Sequence, residues 1–288
     1  MNGLLASSAL WAMHPAFLDA YLKHGAIESM LPEAVRKMMG GSAPEARAAE
    51  PMREGATLII PITGVLGPRG LGATTLYEQI ADRSREAAAD PKVGAVVFSV
   101  RSPGGYVWGC AEAGDAIYEL RQAKPTAAVA DPYCFSAAYW LATQAGEFHA
   151  TTSGEVGSVG VRSGHVDMSG FESKIGMVTT LIGSHPDKIA GHPHAALTEE
   201  DRAEIEASVA ESSAAFVGAI ARGRGMKAAD VAGVHGQGKT FSAPRALAAG
   251  AIDGVSTLRD VVLKLSSSRT RLALMRRQAA ALEMALTI

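Results

Sequence analysis

Apolar residues in the central part of the chain form short continuous runs, and longer amphipathic stretches separate these runs. Short apolar runs that end at Gly or Pro are typical of buried strands, whereas apolar positions spaced three and four apart indicate helices. The predicted strands are 57–62, 93–100, 125–130, 148–151 and 158–161, and the predicted helices are 77–89, 112–122, 136–144 and 198–222. Because the strands alternate with helices and lack long hairpins, the pattern predicts an α/β fold of βαβ units with a mostly parallel sheet.

The sequence on either side of this alternating region has a different character. Residues 1–39 predict an N-terminal helical extension, and the Gly- and Pro-containing stretch 40–54 predicts a linker. The main domain then covers residues 55–265. Residues 266–288 are rich in Ala, Leu, Met and Arg, which predicts a basic amphipathic helical tail. Such a tail could pack on a partner or an anionic surface, or be an ordinary terminal helix.

Composition narrows the class of protein. The 288 residues are 48% hydrophobic, which indicates a globular chain with a sizeable core. With 27 basic and 29 acidic residues, the formal net charge is −2, so we expect no nucleic-acid partner. The two cysteines, Cys110 and Cys134, exclude a disulfide framework and a four-cysteine zinc site, and we expect no metal or cofactor.

No apolar run approaches the ~18–20 residues that a membrane-spanning helix needs, so we expect no membrane insertion. The apolar N-terminal stretch has no basic residue before it, which disfavours a secretory signal. We therefore expect a cytoplasmic protein.

Ser136 is the strongest candidate for a nucleophile. It follows a predicted strand and stands at the start of a predicted helix, where free N–H groups and the helix dipole favour negative charge. The N–H of Ala137 could stabilise an oxyanion, with a second donor from Gly105 in the turn Pro103–Gly104–Gly105. The alternative is that Ser136 only caps the helix, a role in which serine is common.

A serine nucleophile needs a base, and none of the eight histidines lies in a recognisable triad context. Lysine is the other option, provided that burial lowers its pKa. Lys188 lies in the turn-rich segment 185–191. A solvated loop charge is the alternative for this side chain.

Residues 233–240 match the phosphate-loop pattern G-x-x-x-x-G-K-T. A phosphate loop also needs a buried strand before it and a helix directly after it. Here the preceding residues look helical, and the pattern is followed by Phe241–Ser242–Ala243–Pro244. This context argues against nucleotide binding.

Several of these stretches, taken together, resemble the S49 serine peptidases, which include the signal peptide peptidase A group and its phage-encoded relatives. The resemblance covers about residues 57–262. The matching stretches are 102–105, 136–139, 155–161, 187–193 and 246–253. The chain departs from the common family pattern at Ala137–Ala138, where Gly-Gly is usual, and at Arg101, where many members carry Asp or Asn.

The resemblance implies a ClpP/crotonase-like spiral of βαβ units. It implies that Ser136 is the nucleophile, that Lys188 is the general base, and that the N–H groups of Gly105 and Ala137 form the oxyanion hole. The predicted substrate-binding residues are Gly104, Val156, Gly157, Ser158 and Val159. We expect the substrate backbone to pair along residues 156–161 as an added strand and to place small or apolar side chains in the cleft.

The extended N-terminal region and short tail resemble the phage head proteases of this family. The predicted function is therefore a serine endopeptidase with a Ser–Lys dyad, which cleaves scaffold and head proteins during capsid maturation inside a procapsid. The expected partners are protein substrates and further copies of the chain in a homo-oligomer. The alternatives are a soluble cytoplasmic signal-peptide-peptidase-like protease, a crotonase-like acyl-CoA enzyme and a non-catalytic assembly factor.

Overall fold

A computed structural model describes residues 10–15, 17–18, 49–71 and 73–266. Most of the predicted N-terminal extension, much of the linker and nearly all of the tail lie outside the described residues. The chain divides into two compact units. The first comprises residues 1–11, 15–43 and 161–214, and the second comprises 12–14, 44–160 and 215–288.

The described secondary structure consists of short strands and eight helices of four or more residues, numbered in chain order. The strands are β1 Trp11–Met13, β2 Met52–Glu54, β3 Thr57–Thr63, β4 Leu66–Gly67, β5 Thr75–Leu76, β6 Ala95–Ser102, β7 Gly104–Tyr106, β8 Thr126–Phe135, β9 Glu147–Ala150, β10 Glu155–Gly157, β11 Thr240–Ser242 and β12 Gly254–Val255. The helices are α1 Tyr77–Ala89, α2 Cys110–Ala123, α3 Ala137–Ala142, α4 Ser169–Lys174, α5 Glu199–Arg224, α6 Ala228–His235, α7 Ala243–Ala248 and α8 Leu258–Leu265. Residues Pro186–Lys188 form a 3₁₀ turn.

The larger sheet of the second unit has the strand order β11-β10-β8-β6-β3-β2, and β9 and β12 extend from β8. β3, β6, β8 and β10 run parallel to one another, and only the edge strands β2 and β11 pair antiparallel. β9 pairs parallel with β8 and with β12. The predicted α/β class with a mostly parallel sheet is confirmed.

Strands buried on both faces explain the continuous apolar runs in the sequence. One face of the sheet packs against α8, whose Val261, Val262 and Leu265 join the core. The sheet residues of this cluster are Ile59, Ala95, Val97, Ala127 and Val129. Burial of this face fixes the position of β8, whose carboxyl end leads to Ser136.

A second, smaller sheet has the order β1-β7-β4-β5. β1 is a correction to the prediction of helices over residues 1–39. A strand of three residues is too short to show an alternating pattern of apolar and polar positions. β1 forms because it pairs with β7. Beside this pair, His14 N–H donates to the Pro103 carbonyl at 2.9 Å. This sheet holds the Gly104–Gly105 turn in place.

A further correction concerns the last predicted strand. Residues 158–161 are not a strand; the strand is β10, three residues earlier. Ser158 has φ 59° and Gly160 has φ 153°, and these conformations end the extended backbone. β10 forms where the carboxyl end of β8 offers it a parallel partner.

The described part of the first unit consists mainly of residues 161–214. It contains α4, the 3₁₀ turn and the start of α5. Within the described ranges of the whole chain, no helix combines the length and the apolar character that crossing a bilayer requires.

Candidate active site

Ser136 occupies the turn between β8 and α3. Its backbone has φ 54° and ψ −119°, and the residue is only 1% exposed. A serine on a sharp, strained turn from strand to helix presents its hydroxyl at the end of a sheet, which is the arrangement of the nucleophile elbow. The local structure thus has the form that a serine nucleophile needs.

Backbone strain in the described residues concentrates at this point. Among them, only two residues other than glycine have a positive φ, namely Ser136 and Ser158. Each such conformation costs about 1–3 kcal/mol and persists where the surroundings impose it. Here Ser136 N–H donates to the Gly157 carbonyl at 2.8 Å, and Ser158 N–H donates to the Lys239 carbonyl at 2.7 Å.

The Ser136 side chain does not cap the helix. Ser136 precedes the first helical residue, yet its hydroxyl accepts no capping hydrogen bond. Its Oγ instead lies 3.5 Å from the Gly160 carbonyl oxygen. The alternative of a helix cap is therefore wrong, and the first N–H groups of α3, beginning with Ala137, have no acceptor within the helix.

The glycine turn lies against Ser136. Gly104 has φ 98°, and a Cβ added there would stand 3.0 Å from the Ser136 Cβ and would overlap the Ala12 carbonyl oxygen. A Cβ on Gly105 would overlap the Leu66 carbonyl group. Only glycine fits at either position, so the turn brings the backbone of residues 104–105 close to the serine.

Ser102 and Arg101 support this turn. The Ser102 hydroxyl donates to the Gly64 carbonyl at 2.7 Å and accepts from Gly104 N–H at 3.1 Å. The Arg101 Nε–H donates to the Asp131 carbonyl at 2.9 Å. It ties β6 to β8 at the point where the register between these strands shifts. The departure from the family pattern at Arg101 therefore has a structural role in this chain.

The cysteines do not compete as nucleophiles. Cys134 and Cys110 are both fully buried, and burial raises the pKa of each thiol well above its ordinary value. Cysteine reacts as the thiolate, which such burial disfavours. Ser136 remains the candidate.

The prediction of an added substrate strand along residues 156–161 is wrong for Val156 and Gly157, and for residues 158–161 it stays a prediction. β10 lies between β8 on one side and β11 on the other, so both of its edges are paired. Beyond β10, Ser158 N–H donates a hydrogen bond to the Lys239 carbonyl, and the Val159 carbonyl accepts one from Gly238 N–H. A substrate backbone therefore has no free strand edge at Val156 and Gly157. Contact of Val156, Gly157, Ser158 or Val159 with substrate through other atoms stays a prediction.

Lys188 lies in the first unit, at the end of the 3₁₀ turn, and its side chain is exposed. Its segment is tied to neighbouring elements of the same unit. The Pro193 carbonyl accepts from Met168 N–H at 2.6 Å, and His194 Nδ1 lies 2.5 Å from Glu172 Oε1. Since Ser136 belongs to the second unit, the Ser–Lys dyad stays a prediction.

The phosphate-loop pattern has no phosphate-loop structure. It begins within α6 and ends at β11, so a helix precedes it and a strand follows it. The pattern does contain one residue that lies close to the site, His235, which the sequence analysis did not identify. The Tyr139 hydroxyl of α3 lies 2.5 Å from His235 Nδ1, and burial together with Arg224 lowers the pKa of His235 to about 4.

Comparison with known proteins identifies the family of this chain. The sequence pattern of peptidase family S49 matches residues 118–271, over half of the chain. This range includes the strand, turn and helix around Ser136 as well as Lys188. The chain belongs to peptidase family S49.

Two phage proteins are among its relatives. The "Head-tail preconnector protein GP5" of Enterobacteria phage P21 is 30% identical over 244 residues, which is 83% of this chain and 48% of that protein. The "Capsid assembly protease C" of Escherichia phage lambda is 27% identical over 209 residues, 71% of this chain and 47% of that protein. This chain spans about half the length of these curated relatives.

Among solved structures, an enoyl-CoA hydratase/isomerase family member aligns with 82% of this chain and 75% of its own. The sequence identity is 14% and the TM-score is 0.39, too low to add to the strand topology described above.

Proposed function

We propose that this chain is a serine endopeptidase that cleaves proteins of a phage head during capsid maturation. The observation that carries the proposal is the strained, buried Ser136 between β8 and α3, in a chain of family S49. The names of the phage relatives, one of them a capsid assembly protease, support the choice of substrate. The proposed setting is the assembling procapsid in the host cytoplasm.

In the proposed reaction, the Ser136 Oγ attacks the scissile carbonyl carbon and its proton passes to the Lys188 Nζ. The N–H groups of Gly105 and Ala137 bind the oxyanion that develops on the carbonyl oxygen. The C–N bond then breaks as the lysine returns the proton to the leaving amine, which leaves an acyl-enzyme. Water, deprotonated by the same lysine, releases the second product and restores Ser136.

A homo-oligomer is part of the proposal. A lysine acts as a base only when it is neutral, and loss of contact with water is what favours the neutral form. Lys188 is exposed in the single chain. We therefore propose that a second copy covers Lys188 in the assembled enzyme, so that specific activity rises with protein concentration.

A fluorophosphonate probe tests the nucleophile. Wild-type protein is expected to become covalently labelled at Ser136, and Ser136→Ala is expected to lose both labelling and peptide cleavage. Cys134→Ser is the matched control, since this residue is also buried at the end of β8 and is expected to leave labelling nearly unchanged. Undiminished labelling of Ser136→Ala would refute the assignment.

The base is tested by replacing Lys188 with Arg and, separately, with Ala. Guanidinium keeps its proton, so both variants are expected to be inactive although folded. Normal cleavage by Lys188→Arg would exclude the Ser–Lys mechanism and leave Ser136 in need of another base.

A further inference from the structure

We propose that His235 and Tyr139 are a positioning pair, which fixes the helix behind the nucleophile and thereby the backbone of Ser136 and Ala137. The inference rests on the proposed function, because it assigns these two residues a role in that reaction. Neither residue is placed to touch the scissile bond in the proposed reaction. Their effect on catalysis passes through α3.

The position of α3, the helix that begins with the proposed oxyanion donor Ala137, depends on its contacts with the rest of the fold. α3 has only six residues, and a helix of that length is marginal without tertiary contacts. Its first turn must also keep Ser136 in a conformation that costs free energy. The contacts of α3 with its surroundings therefore decide where the Ser136 hydroxyl and the Ala137 N–H point.

Tyr139, in the first turn of α3, provides such a contact. Its side chain is fully buried, and its hydroxyl lies 2.5 Å from His235 Nδ1 and 3.4 Å from the Ala251 carbonyl oxygen. His235 is 1% exposed, and its Nε2 has no hydrogen-bond partner in the described part of the chain. Among the described residues, the Tyr139 hydroxyl is thus the one hydrogen-bond partner of this imidazole.

These contacts assign the tautomer. A proton on His235 Nδ1 donates to the Tyr139 oxygen, and the Tyr139 hydroxyl then donates to the Ala251 carbonyl. Every donor of the pair is paired in this arrangement, and only the acceptor Nε2 is left without a partner. The opposite tautomer would bury an unpaired N–H, which is costly.

The segment that follows His235 holds the other side of the serine. Gly238 N–H donates to the Val159 carbonyl at 2.8 Å, and the Lys239 carbonyl accepts from Ser158 N–H at 2.7 Å. The next residue, Thr240, is opposite Gly157 in the sheet, and the Gly157 carbonyl accepts from Ser136 N–H. One stretch of chain therefore secures both the helix after Ser136 and the strand that binds its N–H.

The test compares kcat and KM of peptide cleavage in His235→Leu, His235→Asn and wild type. Loss of the pair lets α3 shift, so His235→Leu is expected to lower kcat roughly 10- to 100-fold with KM within about twofold. An asparagine amide can donate from the Nδ1 position, so His235→Asn is expected to recover most of kcat. His149→Leu is the matched control, because His149 is also a buried histidine but lies on β9 opposite Val129.

Tyr139→Phe keeps the proposal testable should His235→Leu fail to fold, since it removes a single oxygen atom. It is expected to lower kcat to a similar extent, and the double variant is expected to be no worse than the more impaired single one. Wild-type kcat in His235→Leu or Tyr139→Phe, or losses that multiply in the double variant, would overturn the pair. An inactive, unlabelled wild type would instead refute the proposed function, so the two failures are distinguishable.

Discussion

The buried imidazole of His235 makes the stability of the fold depend on pH. Burial lowers the pKa of His235 from an ordinary 6.5 to about 4 in the folded chain, and the charge of Arg224 adds to this effect. The other titratable group against the ring is Tyr139 on α3. The folded state thus favours the neutral histidine.

The sign of the effect follows from proton uptake. Between pH 6.5 and about 4 the unfolded chain holds a proton on His235 that the folded chain does not. Stability is therefore full above this range, falls as the pH drops through it, and no longer changes on account of His235 below it. At 1.36 kcal/mol per pKa unit the loss is about 3 kcal/mol.

Urea unfolding at several pH values between about 4 and 7.5, followed by tryptophan fluorescence and circular dichroism, measures this loss. His235→Asn cannot titrate, so its free energy of unfolding is expected to fall less than that of wild type over this range. Carboxylates whose pKa is already low, such as Asp253 and Asp90, affect both proteins alike and cancel in the difference. Parallel pH profiles of wild type and His235→Asn would refute the reasoning.

Two further variants test the packing around the site. Gly104→Ala is expected to destabilise the fold and abolish labelling of Ser136, because the new methyl group overlaps the Ala12 carbonyl. Gly70→Ala is its control, since Gly70 has a similar φ of 91° with nothing within 4 Å of the added Cβ; equal losses of thermal stability would contradict the clash. Lys124→Met is expected to cost about 1–3 kcal/mol in urea unfolding, because the buried Lys124 Nζ donates at 2.6 Å to two carbonyls at the end of α1. An unchanged free energy of unfolding would contradict this expectation and would mean that water can hydrogen-bond these two carbonyls in place of the ammonium group.

Local signals in the sequence account for much of the alternation of strands and helices. The predicted helix 77–89 coincides with α1, and the predicted strands beginning at 57 and 125 agree closely with β3 and β8 at their first residues. In each case the apolar period or run depends on residues that are neighbours along the chain. Ser136 could be singled out for the same reason, as a serine between a strand and a helix.

The remaining features depend on residues that are distant in sequence. β8 continues to Phe135 because β10 pairs with its carboxyl end, and the strand predicted at 158–161 lies instead at Glu155–Gly157. Local sequence left a capping role for Ser136 open, whereas the folded chain holds this residue in a strained turn with no capping hydrogen bond.

The contact between Tyr139 and His235 joins positions 96 residues apart, and no periodicity or motif predicts it. The residue types and their local spacing thus determined the elements and the candidate nucleophile. Tertiary packing decided the backbone conformation of that nucleophile and the groups that hold it, because the hydrogen bonds around it join segments that are distant in sequence.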